Sequence, residues 1–261
     1  MRTDSVLGVI PARLGSERLP RKPLRILAGR PLIEWVWRRV STFPVLDACV
    51  IATDAEEIAE ACRAFGADVV MTSVAHGSGT ERVAEVARAP QWAGYEILVN
   101  VQGDEPFVLA EHVEAAVSEV RAGRAVGTVA TPVRTRAEWC DPAIVKVVRR
   151  TDGTALYFSR APIPFRRDGE PSVEDLASSC LRHIGVYAYT RTALFRWVTL
   201  PPAELEDIER LEQLRPLAAG MAIGVAVAGE APPGVDTPDD LSRAERQLRE
   251  TMAHGLSPIA E

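Results

Sequence analysis

Lys22 stands in a stretch, Pro11 to Leu24 (PARLGSERLPRKPL), that also carries Arg13, Gly15, Ser16, Arg18 and Arg21. Cations and backbone N–H groups gathered at the end of a strand can cradle a polyphosphate. The stretch lacks the GxxxxGK[ST] pattern and has one glycine only, so it is neither a P-loop nor a dinucleotide fingerprint. The same residues also suit a solvated basic loop. Of the 30 basic residues in the chain only Lys22 and Lys146 are lysines. In so arginine-biased a sequence a retained lysine draws attention, because a compact ammonium and a planar guanidinium are not interchangeable.

Carboxylates stand at two comparable places. An apolar run ends in Asn100-Val101-Gln102-Gly103-Asp104-Glu105-Pro106, which puts Asp104 just past a strand. Hard oxygen donors of this kind suit Mg²⁺, although Gly-Asp also simply makes turns. Asp236, in Gly234-Val235-Asp236-Thr237-Pro238, follows the last apolar run and precedes the last helical pattern. It fits a second Mg²⁺ ligand or a helix cap, and Thr237 fits the capping role as well. His76-Gly77-Ser78-Gly79-Thr80-Glu81-Arg82 opens another helix. Its small residues admit a flat base near the backbone and a helix start favours an anion; a flexible turn with a cap reads the same. Arg160, His183, Tyr187, Glu212 and Gln213 form a scattered cationic and hydrogen-bonding set that suits a carboxylated polyol. Each alone fits a structural role equally well. His183 and Tyr187 share one face of a strand.

The elements that must position these groups alternate. Strands are expected at Val6–Pro11, Ala48–Ala52, Asp68–Met71, Glu96–Val101 and Gly127–Pro132. Helices are expected at Pro31–Val40, from a cap at Asp54 to about Phe65, and at Thr80–Arg88 and Glu111–Arg121. Continuous apolar strands alternating with helices predict an α/β fold, doubly wound, with a mostly parallel sheet and ligands at the strands' carboxyl ends. Strand-like Ala143–Arg149, Leu156–Ser159 and Arg182–Tyr189 lack long helices between them, and Pro162–Ser179 reads as an irregular, mobile loop. A helix at Glu206–Ala219, a strand at Ala222–Ala228 and a helix at Thr237–Met252 follow. The reading is one domain over residues 1–261, with about 133–200 as an inserted mixed-β section for sugar binding and dimerisation.

Composition bounds the possibilities. The chain has 261 residues, 47% hydrophobic and 25% charged, with a net charge of −6. That excludes disordered, collagenous and bare coiled-coil chains. No apolar run of about 18 residues predicts a membrane span, and the start does not read as a secretory signal. The acidic balance argues against nucleic acid as partner. Cys49, Cys62, Cys140 and Cys180 are widely spaced with no CxxC, as in a reduced cytoplasmic protein.

Read together, the motifs resemble the 3-deoxy-manno-octulosonate cytidylyltransferases, or CMP-Kdo synthetases. The matching strings are PAR, Ser16 with Arg18 to Leu24, His76 to Arg82, Asn100 to Pro106 and Val145 to Val148. They continue in ALYFSRAPIP (Ala155 to Pro164), LRHIGVY (Leu181 to Tyr187), LEQLR (Leu211 to Arg215) and GVDTP (Gly234 to Pro238). The resemblance runs from about Gly8 to Arg243 and takes in both lysines. Leu14-Gly15, Arg21, Gly77 and Asp141-Pro142-Ala143 depart from the family pattern beside the ligand motifs.

The resemblance implies the fold of nucleotide-diphospho-sugar transferases, a homodimer, and transfer of CMP from CTP to an eight-carbon ulosonic acid with Mg²⁺ as cofactor. It implies catalytic roles for Arg13, Lys22 and Asp104. Nucleotide contacts would come from Arg13, Ser16, Lys22, Ser78 and Arg82, and metal contacts from Asp104 and Asp236. Gln102, Arg160, His183, Tyr187, Glu212 and Gln213 would bind the sugar. A cytidylyltransferase for another acidic sugar, such as an amino-Kdo or sialic acid, and an inactive nucleotide-binding module are the alternatives.

Overall fold

The structure, a computed structural model, describes residues 4–15, 18–232 and 234–253. In chain order the first strands and helices are β1 (Val6–Ala12), β2 (Ile26–Leu27), β3 (Arg30–Pro31), α1 (Leu32–Val40), β4 (Ala48–Thr53), α2 (Glu56–Ala64), β5 (Asp68–Met71), α3 (Gly79–Arg88) and β6 (Ile97–Asn100). There follow α4 (Ala110–Arg121), β7 (Val126–Pro132), α5 (Arg136–Cys140), β8 (Lys146–Arg149), β9 (Ala155–Ser159), α6 (Val173–Ser179) and β10 (Leu181–Thr190). The last are α7 (Arg191–Thr199), α8 (Glu204–Glu209), α9 (Leu214–Ala218), β11 (Ile223–Val227) and α10 (Pro238–Ala253). They divide into two units, one of Met1–Ala110 with Pro232–Glu261 and one of Glu111–Ala231.

In the first unit the strands run β6-β1-β4-β5, all parallel. β1, β4 and β6 are almost wholly buried, which is why their sequences are continuously apolar rather than alternating. A separate apolar cluster joins Leu19, Leu27, Leu32, Trp35, Phe107, Val235, Ala244 and Leu248. It ties the segment after β1, the turn after β6 and α10 together, and the Trp35 indole N–H donates to the Leu27 carbonyl at 2.6 Å.

In the second unit β11 lies parallel to β7, and β10 lies antiparallel to β7 and β8. β8 also pairs antiparallel with β9. The α/β architecture and mostly parallel strands read from the sequence are therefore present, with antiparallel pairs confined to the section without long helices and to the small β2–β3 ribbon.

Several local expectations are corrected. Pro162–Ser179 is not wholly irregular: Ser172 and Asp175 form a capping box for α6, and Leu176 is buried against Val133, Trp139 and Cys180. The helix expected at Glu206–Ala219 is two short ones, since Arg210 takes a left-handed conformation (φ 54°) that ends α8. Asp54 does not cap α2. Its carboxylate accepts from Arg82 Nη2 at 2.6 Å, and Ala55 stands at the helix start with no side-chain cap. No described helix is long and apolar enough to cross a membrane.

Candidate active site

Lys22 opens a single 3-10 turn, Lys22–Leu24, after Arg21 in the left-handed region (φ 59°). The turn is closed by Leu24 N–H to Arg21 O (3.0 Å) and Arg25 N–H to Lys22 O (3.1 Å). Leu19, three residues earlier, is buried in the apolar cluster and anchors the segment. Asp104 stands just beyond β6 at the carboxyl edge of the first unit's strands, and Phe107 anchors its turn in the same cluster. Gly103 is required here, because a Cβ would come within 2.7 Å of the Pro11 carbonyl oxygen at the end of β1. Asp236 adjoins Val235, a third cluster member, whose N–H donates to the Asp104 carbonyl at 2.9 Å.

These three anchors bring the charges together. Lys22 Nζ donates to Asp104 Oδ2 at 2.6 Å and to Asp236 Oδ1 at 2.8 Å, across sequence separations of 82 and 214 residues. Arg18 Nη2 lies 3.0 Å from the other oxygen of Asp236. The Lys22 side chain is only 13% exposed. Burial alone would lower its pKa, but the Asp104 and Asp236 carboxylates outweigh that and hold it above the usual lysine value. Capping falls to Thr237 rather than Asp236. Thr237 Oγ1 accepts from Asp240 N–H at 3.2 Å, while the Asp240 carboxylate accepts the Asp236 and Thr237 N–H groups. Asp236 is thereby left to ionic work.

The two carboxylates also fit a divalent cation. Mg²⁺ is commonly held by one or two carboxylates, with waters and substrate phosphates completing its shell. No group of three or more acidic, histidine or cysteine ligands occurs among the described residues.

The other nucleotide-side residues are placed differently. Arg13 is exposed at the end of β1, and Ser16 lies outside the described residues. Ser78 caps α3, with its Oγ accepting from Glu81 N–H at 3.2 Å and the Glu81 carboxylate accepting from Gly77 N–H at 2.7 Å. Arg82 is 3% exposed. Its guanidinium is committed to Asp54 (2.6 Å), Thr72 Oγ1 (2.8 Å) and the Ser73 carbonyl (3.2 Å), so it holds the chain ahead of α3. His76 Nε2 lies 2.5 Å from the Glu85 carboxylate, a second tether on the same segment.

Of the sugar-side set, Gln102 is half-buried in the first unit, two residues before Asp104. The remainder belong to the second unit. Arg160 donates through Nε to Glu209 O (2.8 Å) and through Nη1 to Pro142 O (3.0 Å). His183 and Tyr187 are neighbours as expected, with ring centroids 5.3 Å apart. Burial pushes the His183 pKa down to about 3. Burial first, and then Tyr189 and Glu212, raise the Tyr187 phenol. Gln213 is buried beside the half-buried Glu212 at the start of α9. Sequence reasoning did not single out Arg18 or Asp54 for these ion pairs, nor Thr128, whose hydroxyl lies 2.9 Å from His183 Nε2. Thr128 had one signal, shared with Thr131: a hydroxyl residue inside a largely apolar strand.

Comparison with known proteins shows the family. The cytidylyltransferase family model matches residues 7–223. A 3-deoxy-manno-octulosonate cytidylyltransferase of Gemmatimonas aurantiaca is 54% identical over 240 residues, covering 92% of each chain. The chain belongs to the 3-deoxy-manno-octulosonate cytidylyltransferase family. A member of that family from Cellvibrio japonicus is 47% identical over 247 residues, covering 92% of this chain and 96% of the relative. The solved structure of a CMP:2-keto-3-deoxy-manno-octonic acid synthetase complexed with CTP matches with a TM-score of 0.86 at 37% identity. That match covers 95% of this chain and 99% of the other.

Proposed function

We propose that this cytidylyltransferase activates 3-deoxy-D-manno-octulosonate (Kdo) with CTP, giving CMP-Kdo and pyrophosphate. The observation that carries the reading is the meeting of Lys22, Asp104 and Asp236 at one point from three distant motifs. In the reaction the anomeric hydroxyl of the sugar attacks the α-phosphorus. A new P–O bond forms, the α–β bridging bond breaks, pyrophosphate leaves, and the hydroxyl proton passes to solvent. Such a transfer depends on in-line positioning and on offsetting negative charge.

Each residue then has a task. Asp104 and Asp236 would hold Mg²⁺, which when bound would offset triphosphate charge and make the sugar hydroxyl more acidic. Lys22 and Arg13 offset charge on the α- and β-phosphates, and Ser16 assists through its loop. Ser78 shapes the α3 turn on the cytosine and ribose side, and buried Arg82 keeps that turn in place. Gln102, Arg160, His183, Tyr187, Glu212 and Gln213 bind the sugar acid. The supply of CMP-Kdo suits lipopolysaccharide synthesis. The deciding assay is pyrophosphate release over a matrix of four nucleoside triphosphates and several ulosonic acids. CTP with Kdo should give the highest kcat/KM; a preference for another pair, or binding without release, refutes the reading.

The enzyme is further proposed to act as a homodimer through the section around 133–200. Leu156, Phe165 and Val173 of that section are exposed, Phe165 by 85%, which supplies apolar surface for a subunit contact. Light scattering at micromolar concentration should give twice the chain mass. We place the enzyme in the cytoplasm. Its thiols suit a reducing compartment: none of the four cysteines is paired, and burial pushes Cys49 and Cys62 up to about 12.

A further inference from the structure

β10 runs antiparallel to β7 with His183 opposite Ala130 and Ile184 opposite Val129, but the next pair is Tyr187 with Thr128. Gly185 and Val186 therefore bulge out of the ladder. Bulges re-aim side chains and free backbone groups from regular pairing. Here the Val186 carbonyl turns to Thr128 Oγ1, 2.7 Å away, with the Ile184 carbonyl at 3.4 Å. Thr128 is fully buried, so water does not mediate these contacts.

The proton count follows. Two oxygens 2.7 Å apart need a proton between them, and a carbonyl has none to give. The single hydroxyl proton of Thr128 is thus spent on Val186. His183 Nε2, 2.9 Å from the same oxygen, must bring its own. The ring is neutral because burial penalises its charged form, so the other nitrogen, Nδ1, keeps a lone pair. Among the described residues Nδ1 has no hydrogen-bond partner. Phe158, edge-on at 5.1 Å, and Tyr187 hold the ring plane.

We propose that Thr128 is a positioning residue that locks His183 in its Nε2–H tautomer, presenting Nδ1 as an acceptor for a hydroxyl of the sugar acid. This rests on the reading that His183 contacts the sugar. It adds a polarity to that contact: the histidine reads a donor on the ligand and cannot itself donate to the sugar carboxylate.

The test is ¹⁵N NMR of the histidines combined with steady-state kinetics. The chain has four histidines, so a His183→Gln spectrum assigns the signal. Wild type should show the Nε2–H pattern at His183. Thr128→Val, which keeps the shape but removes the hydroxyl, should lose that pattern and raise the KM for the sugar about tenfold, with the KM for CTP unchanged. Thr128→Ser should restore both, which separates lost positioning from a damaged fold. An Nδ1–H pattern in wild type overturns the proposal. So does a Thr128→Val enzyme with normal sugar KM when His183→Gln raises it. If His183→Gln itself leaves the sugar KM unchanged, the sugar contact fails, and the proposal fails with it for that separate reason.

Discussion

Lys22 Nζ stands 2.6 Å from Asp104 Oδ2, inside hydrogen-bonding distance and largely screened from solvent. With Asp236 on its other side, one ammonium compensates two carboxylates that would otherwise repel each other. In our reading the same two carboxylates hold the metal and the same ammonium serves the phosphates. The charges meet before substrate arrives and are redistributed when it does.

Lys22→Ala should therefore cost turnover on the order of 10²–10³, measured by pyrophosphate release, while circular dichroism reports an intact fold. Lys22→Arg should also be impaired, because the wider fork cannot occupy the gap between two carboxylates that fits a compact ammonium. Near-normal turnover in either folded variant would remove Lys22 from the chemistry.

Asp104→Asn and Asp236→Asn should each weaken the Mg²⁺ dependence of turnover strongly and stability little. Thr237 and Asp240 make the cap of α10, so Asp236→Asn should leave the unfolding midpoint almost unmoved. The double variant should be scarcely worse than either single one, since each already dismantles a shared site. Additive losses would place the two residues in separate sites.

Much of this was legible in the residues. Asp68–Met71 is a strand at the bounds its β-branched run predicts, and Asp104 and Asp236 meet, at Lys22, as their places after strands predict. What escaped depends on tertiary partners. The Arg210 break is supported by Arg160, whose Nε donates to the carbonyl of Glu209, 49 positions away. Asp54 has the spacing of a cap, but Arg82 outbids the helix start with a buried charged bond. α7 was not anticipated, although Thr190 caps it through its side chain. Thr128 acquires its role only because a bulge 58 positions along the chain leaves a carbonyl facing it.

Lys146, the other lysine, proves to be structural. It is fully buried, and its ammonium donates to the carbonyls of Asp141 (2.8 Å), Ile144 (2.6 Å) and Arg160 (2.7 Å). Lys146→Met would leave the Ile144 and Arg160 carbonyls without their donor, the Asp141 carbonyl keeping the Ile144 N–H at 3.2 Å, and should lower stability by about 2 kcal/mol or more. Lys146→Arg should not restore it, because a planar fork cannot reach three carbonyls arranged about one point. Urea unfolding of the three proteins decides this.

The buried histidines set a pH window. An unfolded histidine titrates near 6.5, whereas His183 in the fold is pushed down to about 3. Between those values the unfolded chain binds a proton that the native chain does not, so stability rises with pH. It should therefore fall as pH drops from about 6.5 towards 3. Burial shifts His112 in the same direction. Urea midpoints at pH 7.5 and pH 5 should differ, and His183→Gln should narrow the gap. Carboxylates such as Asp175, held at about 2 by Arg166, add their own loss only below pH 4. An unchanged gap would mean that His183 takes up its proton without cost.

The first unit is written in two pieces, with the whole of the second between them. Its carboxyl-terminal piece supplies Val235 to the apolar cluster, Asp236 to the ammonium, and α10. A chain growing on the ribosome cannot close that cluster until it has made the intervening 111–231 segment. The nascent protein consequently lacks Asp236 as a partner for Lys22 through most of its synthesis. Long-range closures of this kind form slowly and late, so catalytic competence should arrive as one of the last events in the life of the folding chain.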